Sequence, residues 1–144
     1  MNTIYFLGRS RFLDKEKRNN IRDLLNLISK KKNQRISQLN YVLVDDEALL
    51  EINTKHLQHD TYTDIITFDL RDDLSGPVEG EIYISIDRVK ENAEVAGVDF
   101  ENEFIRVVSH GLLHLLGYKD KTAAQAKEMR QEEEACLSLW ADLG

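Results

Sequence analysis

The feature that most restricts this chain is a histidine pair set in a helical apolar run. From Phe104 to Leu116 the apolar residues recur at helical spacing, and His110 and His114 lie four apart within that run. Side chains four apart on a helix emerge from one face a single turn apart, so the two imidazoles point the same way. Gly117 follows, the residue type that most readily takes the left-handed conformation ending a helix. The chain can turn back there and bring the carboxylate of Asp120 toward both rings. Two imidazoles and a carboxylate, with a fourth position open to water, are the ligand count of a catalytic rather than a structural zinc site. A bare His-x-x-x-His pair also fits a buried pair, each ring satisfied by a backbone carbonyl. The turn and the carboxylate favour the metal.

Length and composition bound what surrounds this stretch. With 144 residues, 42% of them hydrophobic and 31% charged, the chain is expected to form one domain over residues 1–144. No apolar run approaches transmembrane length, and the first residues lack a positive-then-apolar pattern, so no membrane partner is expected. A lone cysteine, Cys136, cannot form an internal disulfide and fits a reducing cytoplasm.

The net charge of −7 is unevenly spread. Residues 1–44 carry ten Lys/Arg against three Asp/Glu, a net of +7, and the remainder carries nine against 23, a net of −14. The basic part includes Lys15, Lys17, Arg18, Arg22, Lys30, Lys31, Lys32 and Arg35. One reading is a solvated helix face. The other is a stripe that tracks the phosphates of RNA and loosens with salt.

In order along the chain, Ile4–Leu7 reads as a first strand, and Asp14 can cap a helix running to about Lys31 with Ile21, Leu24, Leu25 and Ile28 on one face. Leu39–Val44 is a second strand. Asp45 or Asp46 caps a second helix ending near Leu57. Asp64–Leu70 and Glu81–Ile86 alternate as third and fourth strands, separated by the turn-rich stretch around Ser75-Gly76-Pro77. Asp87 is expected to cap a helix ending at Gly97, the histidine helix starts near Asp99, and a last helix runs from Thr122 to about Leu143. The sum is an α+β domain, about five helices packed on a mixed sheet of about four strands.

The histidine stretch resembles the YbeY family, single-domain metal-dependent endoribonucleases of ribosomal RNA maturation. The family signature is His-Gly-x-Leu-His-Leu-x-Gly-Tyr-Asp-His, and this chain matches it from His110 through Tyr118. Asp120 then stands where the family has its third histidine, and Lys119 where it has Asp. A carboxylate can replace an imidazole on zinc, while lowering its Lewis acidity and favouring oxygen-loving ions. Leu50-Glu51-Ile52-Asn53 with His59 to Phe68, and Gly80 to Ser85, are similar to two further family segments. A family arginine implicated in activity is Leu57 here, which implies that another basic group takes its part.

The resemblance implies a zinc-dependent endoribonuclease, or one using another divalent ion, that matures the 3′ end of small-subunit ribosomal RNA. His110, His114 and Asp120 would hold one ion and make its water the reactive group. Its partners would be ribosomal RNA or the small ribosomal subunit. Arg106, one turn before His110, can face the same cleft and grip a phosphate, or pair with Glu103 at the surface. Asp64 can orient a ligand histidine through its second ring nitrogen, or cap a turn. Thr63 and Ser109 are hydroxyls without an assigned part. His56 and His59 are read as a solvent-facing helix end, with a substrate contact the other reading, and Tyr118 as packing over a helix end, with base stacking the other possibility. Two other functions stay open. One is a metal hydrolase of another substrate such as a peptide, against which stands Gly111, where zinc proteases carry a Glu. The other is a non-catalytic ribosome-associated binding protein.

Overall fold

A computed structural model describes residues 3–8, 10, 12–57 and 63–143, with backbone alone at 56 and 57. Four strands and five helices follow in the order β1 (Thr3–Leu7), α1 (Lys15–Lys31), β2 (Ile36–Val44), α2 (Asp46–Leu57), β3 (Ile65–Asp69), β4 (Val78–Ser85), α3 (Ile86–Ala96), α4 (Phe100–Leu115) and α5 (Ala123–Leu143). The sheet order is β1-β2-β4-β3. β1 and β4 run parallel to β2, and β3 pairs antiparallel with β4. The expected α+β class and mixed sheet are therefore those observed.

Period-two patterning puts Leu39, Tyr41 and Leu43 of β2 and Val78, Ile82 and Ile84 of β4 into the core. Ile21, Leu24, Leu25 and Ile28 of α1 face them, as their helical spacing requires. α4 runs through the middle and is apolar on almost every side. Phe104, Ile105, Val108, Leu112 and Leu113 are all fully buried, the mark of a helix covered all round. The Tyr41 hydroxyl donates to the Val108 carbonyl at 3.0 Å, so the deepest tyrosine is satisfied by this helix. Where α4 crosses the sheet the residue is Gly111. A Cβ there would lie 3.0 Å from Ile82 and 3.1 Å from Ile65, so glycine sets how closely helix and sheet approach.

Helix starts follow the expected caps with one exception. Asp14 accepts from the Lys17 amide at 2.8 Å, Asp45 from that of Ala48 at 2.8 Å, and Asp99 from that of Asn102 at 2.7 Å. α3 is capped by Ser85, whose hydroxyl accepts from the Arg88 amide at 3.1 Å, and not by Asp87. β4 stops one residue before the expected Ile86 for the same reason: Ser85 is the residue with extended backbone before the first turn. Asp87 instead accepts from the Asp46 amide in the first turn of α2. No helix among the described residues is long and apolar enough to cross a membrane.

Candidate metal centre

The last two turns of α4 carry His110 and His114, and the loop after it carries Asp120. The loop is fixed at both ends. At its start, Gly117 has φ +107, a region other residues avoid, and two backbone bonds close the helix. The Gly117 amide donates to the His114 carbonyl and the Tyr118 amide to that of Leu113, both at 3.0 Å, the paired pattern of a Schellman closure. At its end, Thr122 and Gln125 form a capping box at the start of α5. The Thr122 hydroxyl accepts from the Gln125 amide at 3.1 Å, and the Gln125 side chain accepts from the Thr122 amide at 3.2 Å and the Lys121 amide at 3.1 Å. Arg71 adds an outer tie, donating to the Leu115 carbonyl at 2.7 Å while paired with Asp69, whose carboxyl it holds below the ordinary range.

Between these anchors, one oxygen of Asp120 lies 3.4 Å from Nε2 of His110 and 3.4 Å from Nε2 of His114. Two ligands at about 2.0–2.1 Å from an ion in tetrahedral geometry stand about 3.4 Å apart, so both spacings are edges of a zinc-sized tetrahedron. The three groups offer ligand atoms within 4.8 Å of one another, the one such cluster of His, Cys, Asp or Glu among the described residues.

Each histidine has its other nitrogen occupied. Nδ1 of His114 lies 3.0 Å from the Tyr118 carbonyl, which can only accept, so this nitrogen carries the proton. Nδ1 of His110 lies 2.5 Å from Oε2 of Glu133 on α5. Burial alone would raise the Glu133 carboxyl, but the hydrogen bond from His110 and the Arg106 charge hold it below the ordinary range. Glu133 is therefore an acceptor too. Both arrangements leave Nε2 with a free lone pair toward Asp120, the tautomer a metal requires.

The sequence leaves Asp64 as either the partner that orients a ligand histidine or a turn cap; in the structure the two Nδ1 atoms meet Glu133 and a main-chain carbonyl. Asp64 borders the cleft just before β3, its carbonyl accepting from the Ser85 amide at 3.0 Å and its side chain 3.5 Å from Asn92 Nδ2. Burial raises its carboxyl, against the opposing charges of Arg106 and His110. Arg106 also lines the cleft, yet its guanidinium is engaged on both sides. It donates to Glu103 at 3.0 Å and to Glu133 at 3.0 Å. Its pairing with Glu103 is as expected, but Glu103 is only 3% exposed, so this is an interior clamp and not a surface bridge. Glu133 had a sequence signal: it follows Met129 by four and precedes Cys136 by three, the inward positions of α5.

The cleft over these groups has a volume of about 740 Å³ and is floored by His110, His114 and Asp120. Thr63 lines it, while Ser109 is fully buried. Lys121, which sequence reasoning passed over, lines it as well and has no ion-pair partner among the described residues. None of Lys15, Lys17, Arg18, Arg22, Lys30, Lys31, Lys32 and Arg35 borders it. Lys17 is paired with Glu101, Arg18 donates to the Leu13 carbonyl at 2.8 Å, Arg22 to the Ile4 carbonyl at 2.8 Å, and Lys32 lies 2.7 Å from Glu132. Lys32 also sits 5.2 Å over the Tyr118 ring, so that ring packs under a cation at the helix end. The side chains of His56 and Leu57, and all of His59, lie outside the described residues.

A family model described as Endoribonuclease YbeY matches residues 8–141. An Endoribonuclease YbeY of Cytophaga hutchinsonii is 48% identical over 137 residues, 95% of each chain. One of Flavobacterium psychrophilum is 48% identical over 108 residues, 75% of this chain and 76% of the relative. The solution structure of TM1509 from Thermotoga maritima is similar with a TM-score of 0.67 at 30% identity, covering 96% of this chain and 92% of that one.

Proposed function

The chain belongs to the YbeY family of metal-dependent endoribonucleases, and on that premise we propose that His110, His114 and Asp120 hold its catalytic ion, zinc, for cleavage of ribosomal RNA in the cytoplasm. The observation that carries the site is the pair of 3.4 Å spacings from one Asp120 oxygen to the two free imidazole nitrogens. A cation bound there supplies Lewis acidity, which activates water or neutralises charge developing on a phosphoryl group.

The chain's own residues do the rest. Glu133 and the Tyr118 carbonyl keep both Nδ1 protons in place, so the two Nε2 atoms stay available as ligands. Arg106 keeps Glu133 charged and is a positioning residue, since its guanidinium is already shared between two carboxylates. Lys121, beside Asp120 on the cleft rim, is the cation available to meet a scissile phosphate, the part the family gives to the arginine replaced by Leu57. Asp64, which also lines the cleft, is the carboxylate there to hydrogen-bond a ribose hydroxyl.

An RNA-cleaving hydrolase is also what the comparisons support over a peptidase or a non-catalytic binding protein. Gly111 adds a physical reason. A zinc peptidase places its Glu there, but on α4 this position faces Ile82 and Ile65 with no room for a side chain. Small-subunit ribosomal RNA as the substrate, maturation of its 3′ end, and the small subunit as the partner rest on the family alone.

The test is elemental analysis and RNA cleavage on protein purified without chelator or a histidine tag. The wild type is expected to carry about one zinc per chain, and His114→Ala and Asp120→Ala to lose most of it together with cleavage. Full cleavage by His114→Ala without metal would overturn the assignment. Metal retained in Asp120→Ala would reduce the ligand set to the two histidines.

A further inference from the structure

The eight basic residues named above from the N-terminal part divide sharply once their partners are known. Lys17, Arg18, Arg22 and Lys32 are committed to carboxylates or carbonyls of the fold. Lys30 and Arg35 are exposed, have no ion-pair partner among the described residues, and line one groove. It is about 460 Å³ in volume and lies between the last turn of α1, the start of β2 and Pro77. No carboxylate lines it, in a chain whose net charge is −7. A lysine in the last turn of a helix ordinarily answers the helix dipole, which accounts for Lys30. It does not account for Arg35, which lies beyond the helix, two residues after the left-handed Asn33.

The groove joins the metal loop through Gln34. The Gln34 side-chain Nε2 donates to the Leu116 carbonyl at 3.3 Å, at the end of the histidine helix. Gln34 lines both the basic groove and a smaller hollow of about 260 Å³ over Gly117 and Tyr118. Tyr118 is the residue whose carbonyl orients His114. Gln34 thus bridges two surface hollows, one beside the loop that carries Asp120 and lined also by Lys32 and Glu128, the other the carboxylate-free basic groove.

We propose that this groove binds the phosphodiester backbone of the RNA substrate at nucleotides away from the cut, with Lys30 and Arg35 as the phosphate contacts. This rests on the endoribonuclease reading above and adds a second, non-catalytic binding site to it. Arg35 can meet a phosphate through two donors, and Lys30 as a point charge. The other unpaired cations among the described residues of the N-terminal part, Lys15 and Lys31, are then spectators, and the salt sensitivity of that part concentrates in two side chains.

The probe is a fluorescent, cleavage-resistant single-stranded RNA, bound to the metal-loaded full chain at several salt concentrations. Lys30→Ala with Arg35→Ala should weaken binding by about tenfold and reduce the slope of log affinity against log salt by about 1.4, since a single strand gives about 0.7 per phosphate contact. Metal content and cleavage of a short oligonucleotide spanning only the cleft should stay at wild-type levels, and Lys30→Arg with Arg35→Lys should restore most of the affinity. Lys55→Ala with Lys90→Ala removes the same charge from α2 and α3 and should change the slope far less. Equal slopes in wild type and the Lys30/Arg35 variant, or an equal fall in the control, would overturn the groove while leaving cleavage intact. A wild type that neither binds nor cuts RNA would overturn the function with it.

Discussion

His114 takes its orientation from a carbonyl four residues on, whereas His110 takes its from a carboxylate 23 residues away on another helix. The first is a local arrangement at a half-open rim. It needs the helix closure at Gly117 and nothing else. The second is long-range and interior: Glu133 answers His110 and Arg106 together, and Arg106 is closed off by Glu103. One centre therefore depends on two supports of different kinds, and removing each should fail differently.

The largest effect is expected at the interior support. Glu133→Ala leaves Arg106 half-paired and His110 without its acceptor, in a site only 4% exposed at Glu133. Breaking a buried charge pair costs on the order of 3–5 kcal/mol, and losing the partner of a metal histidine lowers affinity about 10–100-fold. Chemical unfolding and competition with a zinc chelator measure the two. Glu133→Gln keeps a hydrogen-bond acceptor but not the charge, so it should retain most of the stability and still bind metal more weakly. Wild-type metal affinity in Glu133→Gln would mean that the charge on Glu133 does nothing for His110.

The same contrast explains how much was legible beforehand. Most of what is local was. The i, i+4 pair, the glycine closure and the returning Asp120 all lie within eleven residues of one another, and their geometry follows from helix periodicity and turn chemistry. The strands read from alternation, and Asp14, Asp45 and Asp99 cap as their residue type suggests. Ser85 and Asp87 show the limit of that approach. Both can cap, and only the backbone says which has the extended conformation. Glu133 is obscured because it sits inside an unbroken acidic run, Glu132-Glu133-Glu134, and only the register with Met129 and Cys136 turns its middle member inward. Asp64 stays open between orienting a histidine and capping a turn on sequence alone, because which nitrogen meets which acceptor is decided by tertiary packing between α4 and α5. Lys121 had no signal: a lysine in a loop becomes informative only when the loop is seen to border the cleft.

At the local support a smaller effect is expected. Gly117→Ala places a side chain at φ +107, although nothing lies within 4 Å of the added carbon, so the cost is backbone strain without a clash. Such strain is worth about 1–3 kcal/mol. It falls on the loop that carries both the Tyr118 carbonyl and Asp120, so metal affinity should drop along with stability, by less than in Glu133→Ala. A variant that lost stability but bound zinc normally would show that the closure supports the fold and not the ligands.

The smallest effect has the opposite sign, and it comes from comparing the two carboxyls near His110. Glu133 is held below the ordinary range by the groups that it meets, whereas Asp64 is pushed up by burial that Arg106 and His110 only partly offset. For Glu133 the folded chain binds its proton less tightly than the unfolded one. Its contribution is present above the ordinary value of 4.5 and disappears as pH falls through the lower folded value. For Asp64 the folded chain holds the proton more tightly, so stability declines as pH rises from the ordinary value of 3.8 through the higher folded value. Above that window the ionised Asp64 is a standing cost to the metal-free protein. Asp64→Asn should therefore melt at a higher temperature than wild type near neutral pH, with the difference shrinking as pH falls toward 3.8. Glu133→Gln should do the reverse, melting lower at neutral pH and converging with wild type in acid. If both variants moved the melting temperature in the same direction at neutral pH, the two carboxyls would not be playing opposed parts. Asp64 would then be held by the cleft and not merely tolerated in it.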